Sequence, residues 1–194
     1  MTPTVNMLSS WIRLTWGGWV LGVPVIAALA LAGEVVGIGG SQVLVGAGMG
    51  LAVGAMQGIA VRRIGVRAAP WIVACIVGLA APFLAADLQR LGGIEHRYSL
   101  PLAVALGGLV AGAAQSVLLR PRFHSVVPWV VGSFLGWSLA GVAAGSADSL
   151  MRAHAIRGIW GALGYLGLVA LGGLVLGVVT GMTLAWMLKR EAVG

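Results

Sequence analysis

One small helical unit is written three times in this chain, and that repetition limits the available folds more than any other feature. Gly50, Gly54 and Gln57 recur as Gly108, Gly112 and Gln115, an offset of 58 residues. The same offset carries Arg62 to Arg120, Pro70-Trp71 to Pro128-Trp129, and Gly78 to Gly136. A third copy reads Gly173, Gly177 and Thr180, and a partial one begins at Gly18-Trp19. A unit repeated in this way buries its apolar face by stacking on its copies, so the unit is where fold reasoning starts.

Hydropathy says in which solvent the copies stack. Mean hydropathy is +1.01, and charged residues make up 9% of the 194, where a soluble domain carries roughly a quarter. Apolar runs cover about residues 14–33, 43–61, 70–88, 101–119, 126–145 and 164–188. Each is near the ~20 residues that cross ~30 Å of hydrocarbon. The expected fold is all-α and polytopic: one integral membrane domain over residues 1–194, with six transmembrane helices forming three repeated hairpins.

Charge placement orients those spans. Arg13, Arg62, Arg63, Arg67, Arg120, Arg122, Lys189 and Arg190 fall on one side. Arg90, Arg97, Arg152 and Arg157 fall on the other, with Glu34, Asp87, Glu95 and Asp148. An excess of Lys and Arg marks the cytoplasmic face, which puts both termini in the cytoplasm. The many Arg, Ala, Gly and Val residues point to a GC-rich bacterial genome, and so to the bacterial inner membrane. Topology accounts for the net charge of +7, so nucleic acid is not an expected partner; anionic headgroups are. A charged start at Arg13 and the small residues Ala30-Leu31-Ala32 imitate a signal peptide. The run between them is long for one, and Trp19-Val20-Leu21-Gly22 resembles Trp129-Val130-Val131-Gly132, so it is read as the first span.

Trp11, Trp16, Trp19, Trp71, Trp129 and Trp186 all fall near cytoplasmic helix ends and read as an interfacial aromatic belt. Trp137 lies deeper, where its indole N–H needs a partner. Small residues four apart give one face of a helix and allow close backbone approach in lipid. The expected packing stripes are Gly46, Gly50, Gly54 and Gly58; then Gly108 and Gly112 with Ser116; then Gly173, Gly177 and Gly181.

Two sets of polar residues recur with the hairpins. Gln57, Gln115 and Thr180 occupy equivalent positions and form a candidate polar cluster, read as interhelical hydrogen bonding or as a solute-contacting constriction. Glu34, Asp87 and Asp148 each follow a tryptophan-led helix and form a candidate outer acidic ring that would attract cations. Asp87 has Arg90 as a nearby partner, and Asp148 could cap the short segment that follows it.

Catalytic constellations are not evident. His96, His124 and His154 fall in expected loops without metal-ligand spacing, so neither catalytic residues nor a metal site is expected. Cys75 is the single cysteine and reads as a small packing residue. Ser99, Ser125 and Ser149 have no base beside them in sequence. The middle of each span lacks an ionisable side chain, which argues against a proton antiporter. It also lacks a histidine for haem or chlorophyll, and no cofactor is expected.

The unit G-x-x-x-G-x-x-Q, then L-R or R-R, then P-W-V, resembles a pattern in uncharacterised multi-pass bacterial membrane proteins. It reads Gly50, Gly54, Gln57, Arg62-Arg63, Pro70-Trp71, and again Gly108, Gly112, Gln115, Leu119-Arg120, Pro128-Trp129. The resemblance covers about residues 46–136 and implies a fold and a membrane location, with no activity attached. Size and topology are also similar to those of the substrate-binding subunits of energy-coupling-factor vitamin importers, an analogy that no residue motif carries. Two function classes fit. One is a non-catalytic integral subunit that packs in or organises a larger membrane assembly, with other membrane proteins or its own copies as partners. The alternative is a small-solute permease or channel.

Overall fold

In a computed structural model, which describes residues 3–94, 99–152 and 158–192, the described chain is helical apart from its turns. The helices are α1 (Pro3–Val35), α2 (Val43–Val61), α3 (Ala68–Leu91), α4 (Leu100–Leu119), α5 (Val127–Arg152) and α6 (Gly158–Glu191). All six are long and apolar enough to cross a membrane. This is a multi-pass helical membrane protein by the length and composition of its helices.

Local chemistry sets the helix ends. After α2, a single 3-10 turn (Arg62–Ile64) runs into Gly65 at φ +73°, where Val66 N–H bonds back to the Val61 carbonyl at 3.0 Å. Gly93 closes α3 in the same way, with φ +73° and Ile94 N–H on the Gln89 carbonyl at 3.0 Å. Such closures satisfy the orphan carbonyls of a helix end and need a left-handed residue that glycine adopts without strain. Pro101 stands in the first turn of α4, where its missing N–H costs nothing.

Each helix packs against the next in chain order, and α6 returns to α1, so the six close into a ring. The expected spans all coincide with helices, but α1 starts well before residue 14. Arg13 lies inside this helix, and its Nε donates to the Ser9 carbonyl at 3.3 Å, so the cation turns back along its own helix and does not end it.

Glycines lie where neighbouring backbones come closest. A Cβ at Gly50 would fall 2.6 Å from the Cys75 carbonyl oxygen, and one at Gly54 would fall 2.8 Å from Cys75 Cβ. Gly46 and Gly58 also face α3, at Leu79 and Ala68 respectively. Gly108 and Gly112 meet Trp137 and Ser133 of α5. Gly173, Gly177 and Gly181 meet Trp19, Ile12 and Trp11 of α1. The neighbour in every case is the helix that follows around the ring, not the partner within the same hairpin. Gly18, Gly78 and Gly136 meet Val53, Ala111 and Leu176, on the other helix of their own hairpins.

Candidate functional site

Trp11, Trp71 and Trp129 meet inside the ring, one each from α1, α3 and α5, and all three are fully buried. Trp11 stands edge-on to both others, with ring centroids 6.2 Å from Trp71 and 5.7 Å from Trp129. Trp71 and Trp129 tilt against each other at 5.5 Å. Edge-to-face and tilted contacts suit the ring quadrupole better than a flat sandwich. Val61, Leu119 and Leu184 pack into the same cluster from α2, α4 and α6.

Each indole donates its N–H to the neighbouring helix. Trp71 Nε1 donates to Gln57 Oε1 at 3.2 Å, Trp129 Nε1 to Gln115 Oε1 at 3.0 Å, and Trp11 Nε1 to Thr180 Oγ1 at 2.9 Å. The three acceptors are themselves buried. Gln57, Gln115 and Thr180, expected as a polar cluster, are each paired first with a tryptophan, and the polar groups link across one turn deeper in the ring.

That next turn carries Thr15, Cys75 and Ser133, each four residues after its tryptophan. Gln57 Nε2 donates to Thr15 Oγ1 at 3.3 Å, and Gln115 Nε2 donates to Cys75 Sγ at 3.0 Å. Each glutamine therefore joins two tryptophan-led helices: Gln57 ties α1 to α3, and Gln115 ties α3 to α5. Thr180 is too short for both tasks. Its hydroxyl accepts from Trp11 and donates to its own Leu176 carbonyl at 2.6 Å, while Ser133 Oγ donates to the Gly108 carbonyl at 2.9 Å. Among the described residues no buried side-chain nitrogen or oxygen lacks a partner. In lipid, with no water to take up the difference, an unpaired group would be costly.

Another turn along lie Trp19, Leu79 and Trp137, buried with Val53 and Leu176 in a second cluster. Trp19 and Trp137 tilt together at 5.8 Å. Trp19 Nε1 donates to the Val169 carbonyl at 2.7 Å and Trp16 Nε1 to the Ala170 carbonyl at 3.1 Å, fixing α1 on α6.

The aromatic belt is thus largely an aromatic core. Trp11, Trp19, Trp71 and Trp129 are buried, and only Trp16 (43%) and Trp186 (45%) keep substantial exposure among the six assigned to the belt. Large rings aligned with the glycine stripes can be enclosed by helices, because glycine leaves room for them. Sequence position near a helix end cannot distinguish that from an interface. The recurrence of Trp and Gln 14 residues apart was the available signal.

The carboxylates have separate environments. Glu34 is exposed. Asp87 is buried, and it accepts the backbone N–H groups of Gln42 at 3.0 Å and Val43 at 2.8 Å, with Arg90 3.7 Å away. It caps α2 from the last turn of α3, where the N-terminal dipole of α2 offsets the unfavourable position on its own helix. The side chain of Asp148, like His96 and His154, lies outside the described residues. Beside Asp87, between α3 and α4, a cavity of about 1050 Å³ is lined by Gln42, Gln89, Arg90, Ser99 and apolar residues including Leu102 and Leu106. Metal-ligating groups do not cluster among the described residues.

Polar contacts also tie the basic end together. Arg63 donates to Ser10 Oγ at 2.8 Å, and Arg122 to the Gly65 carbonyl at 2.8 Å. Glu191 accepts the His124 backbone N–H at 2.8 Å and lies 2.7 Å from His124 Nδ1. No protein family, curated protein or solved structure matches the chain.

Proposed function

We propose that this chain is a non-catalytic integral membrane subunit that packs in, or organises, a larger membrane-protein assembly. In this reading it belongs to a bacterial inner membrane, with both termini in the cytoplasm. Three copies of one hairpin form the ring around a pseudo-threefold axis, and glycine stripes make the seams between copies. The partners are lipid and other integral membrane proteins, or further copies of the chain.

The observation that carries this reading is the filled axis. Three tryptophans pack with Val61, Leu119 and Leu184 in one buried cluster inside the ring, and Gln57, Gln115 and Thr180 are engaged with the indoles. Polar groups that would replace a solute's hydration shell are here bonded to the protein itself. A rigid, self-satisfied bundle with short connections is suited to presenting its outer helix faces to neighbours in lipid.

The alternative, a small-solute permease or channel such as the binding subunit of a vitamin importer, draws on a different observation. That is the cavity between α3 and α4, with Arg90, Gln89 and Gln42 on its wall. Purification in mild detergent from native membranes tests the first reading. Stoichiometric recovery of defined integral membrane proteins supports it, whereas a lone chain that moves a solute into liposomes replaces it with the second.

A further inference from the structure

We propose that a groove between α5 and α6 holds one acyl chain of an anionic phospholipid, whose phosphate is met by Arg190 and Lys189. The groove has a volume of about 370 Å³ and lies at the basic end of the ring. Val131, Gly132, Leu135, Val179, Thr183 and Trp186 line it. From Val127 to Leu135 it follows roughly 12 Å of helix, most of the ~15 Å of hydrocarbon in one leaflet.

The repeat explains why a groove opens on this hairpin. With Trp11 of α1 matched to Trp71 and Trp129, which make the corresponding hydrogen bonds, Gly132 and Thr183 stand where the first hairpin has Leu14 and Ala60 and the second has Ala74 and Leu118. Those hairpins each place one leucine and one alanine at the paired positions. The third has a glycine and a threonine, so the larger side chain is lost from both sides. Thr183 leans onto Gly132. Its hydroxyl donates to its own Val179 carbonyl at 2.9 Å, so it asks nothing polar of an occupant. The wall left behind suits a hydrocarbon chain.

The mouth suits a phosphate. The Arg190 guanidinium sits 4.5 Å from the centre of the Trp186 ring, which is half-exposed at the groove's end. Lys189 and Arg190 are both exposed, and among the described residues neither pairs with a carboxylate, because Glu191 is taken by His124. A stacked cation beside an indole at headgroup depth is well placed for an anionic lipid and gains nothing from a neutral solute. The inference is independent of the scaffold reading, since it depends only on this groove and the charges at its mouth.

Native mass spectrometry of the full chain in detergent tests it, with phosphatidylglycerol or phosphatidylcholine of identical acyl chains added. The wild-type chain should retain one phosphatidylglycerol about tenfold more strongly than phosphatidylcholine. Lys189→Gln with Arg190→Gln should bring the two lipids to parity, while Arg62→Gln with Arg67→Gln should leave the preference unchanged. Val131→Trp, which fills the groove from its half-exposed wall, should reduce retention of the first phosphatidylglycerol roughly tenfold. If that variant fails to fold, Leu135→Trp closes the deeper end and is read in the same way. Equal retention of both lipids by the wild-type chain would overturn the proposal. So would undiminished phosphatidylglycerol binding in a folded, groove-filled variant, or a wild-type dimer that Val131→Trp separates without altering lipid retention.

Discussion

Trp71 donates its indole N–H to Gln57, 14 residues earlier in the chain, and Trp129 does the same to Gln115 over the same interval. One helix ends, a short loop turns, and the next begins within that interval. The bond therefore locks the angle between successive hairpins at the point where the chain reverses. Trp11 and Thr180 make the corresponding contact between the two ends of the sequence.

The Trp71–Gln57 bond should show as a coupling between the two side chains. Trp71→Phe and Gln57→Leu should each destabilise the bundle, and the double variant should be less destabilised than their sum, by about 0.6–2 kcal/mol. Unfolding by a denaturing detergent in mixed micelles would measure it. Strict additivity would mean that the contact contributes nothing of its own.

Glycine seams give a sharper contrast. Gly54→Leu and Gly112→Leu force a side chain against Cys75 Cβ at 2.8 Å and Ser133 Cβ at 2.7 Å, whereas Gly164 has nothing within 4 Å of its Cβ position. The first two variants should lose folded yield or melt markedly lower, and Gly164→Leu should behave as wild type. Overpacking at a close crossing typically costs about 1–3 kcal/mol or more. Three equally stable variants would dismiss the seams as determinants of stability.

The ring's membership was legible in the sequence where periodicity and repetition reinforced each other. Glycines at four-residue spacing pick out positions that lie against a neighbouring helix, as at Gly50, Gly54, Gly108 and Gly112, and Gln57, Gln115 and Thr180 are buried. Legibility failed where a residue type has two stable environments. Trp11, Trp71 and Trp129 satisfy the interface rule by position and the core rule by environment, and only the packed helices decide between them. Asp87 was obscure for a similar reason. It lies at the wrong end of α3 for its charge, and its partner is the start of another helix, 45 residues back.

The Asp87 cap should be separable from any role in attracting cations. Asp87→Ala removes the acceptor for two backbone N–H groups and should cost about 0.5–2 kcal/mol, with Asp87→Asn intermediate. Glu34→Gln, at an exposed site, should leave the melting temperature unchanged. Equal melting temperatures for Asp87→Ala and Glu34→Gln would deny the cap.

Orientation can be read by labelling in intact cells, because Cys75 is buried and should stay silent. New cysteines at Arg67 and His124 should react only after the membrane is opened. One at Ile94 should react from outside. The reverse pattern would invert the topology, and reaction of all three from one side would mean that a span is missing.

The polar layer separates the two functional readings. Gln57→Leu, Gln115→Leu and Thr180→Val together leave three buried indole N–H groups without their present acceptors. In lipid such hydrogen bonds average roughly 0.6 kcal/mol and reach about 1.7, so the loss should amount to a few kcal/mol at most. A stable bundle survives that, and a variant that also carries Trp71→Phe and Trp129→Phe removes two of the stranded donors if the first does not fold. In the scaffold reading, the folded variant should still recover the same membrane partners in pull-down, since its outer faces are untouched. In a permease whose route follows the axis, the variant should fold and reach the membrane but lose solute flux, because the polar groups along that route would be gone. Wild-type liposomes that pass a solute, with flux abolished in the triple variant, would replace the scaffold with a permease. Sealed wild-type liposomes and intact partner recovery by the variant are the results expected.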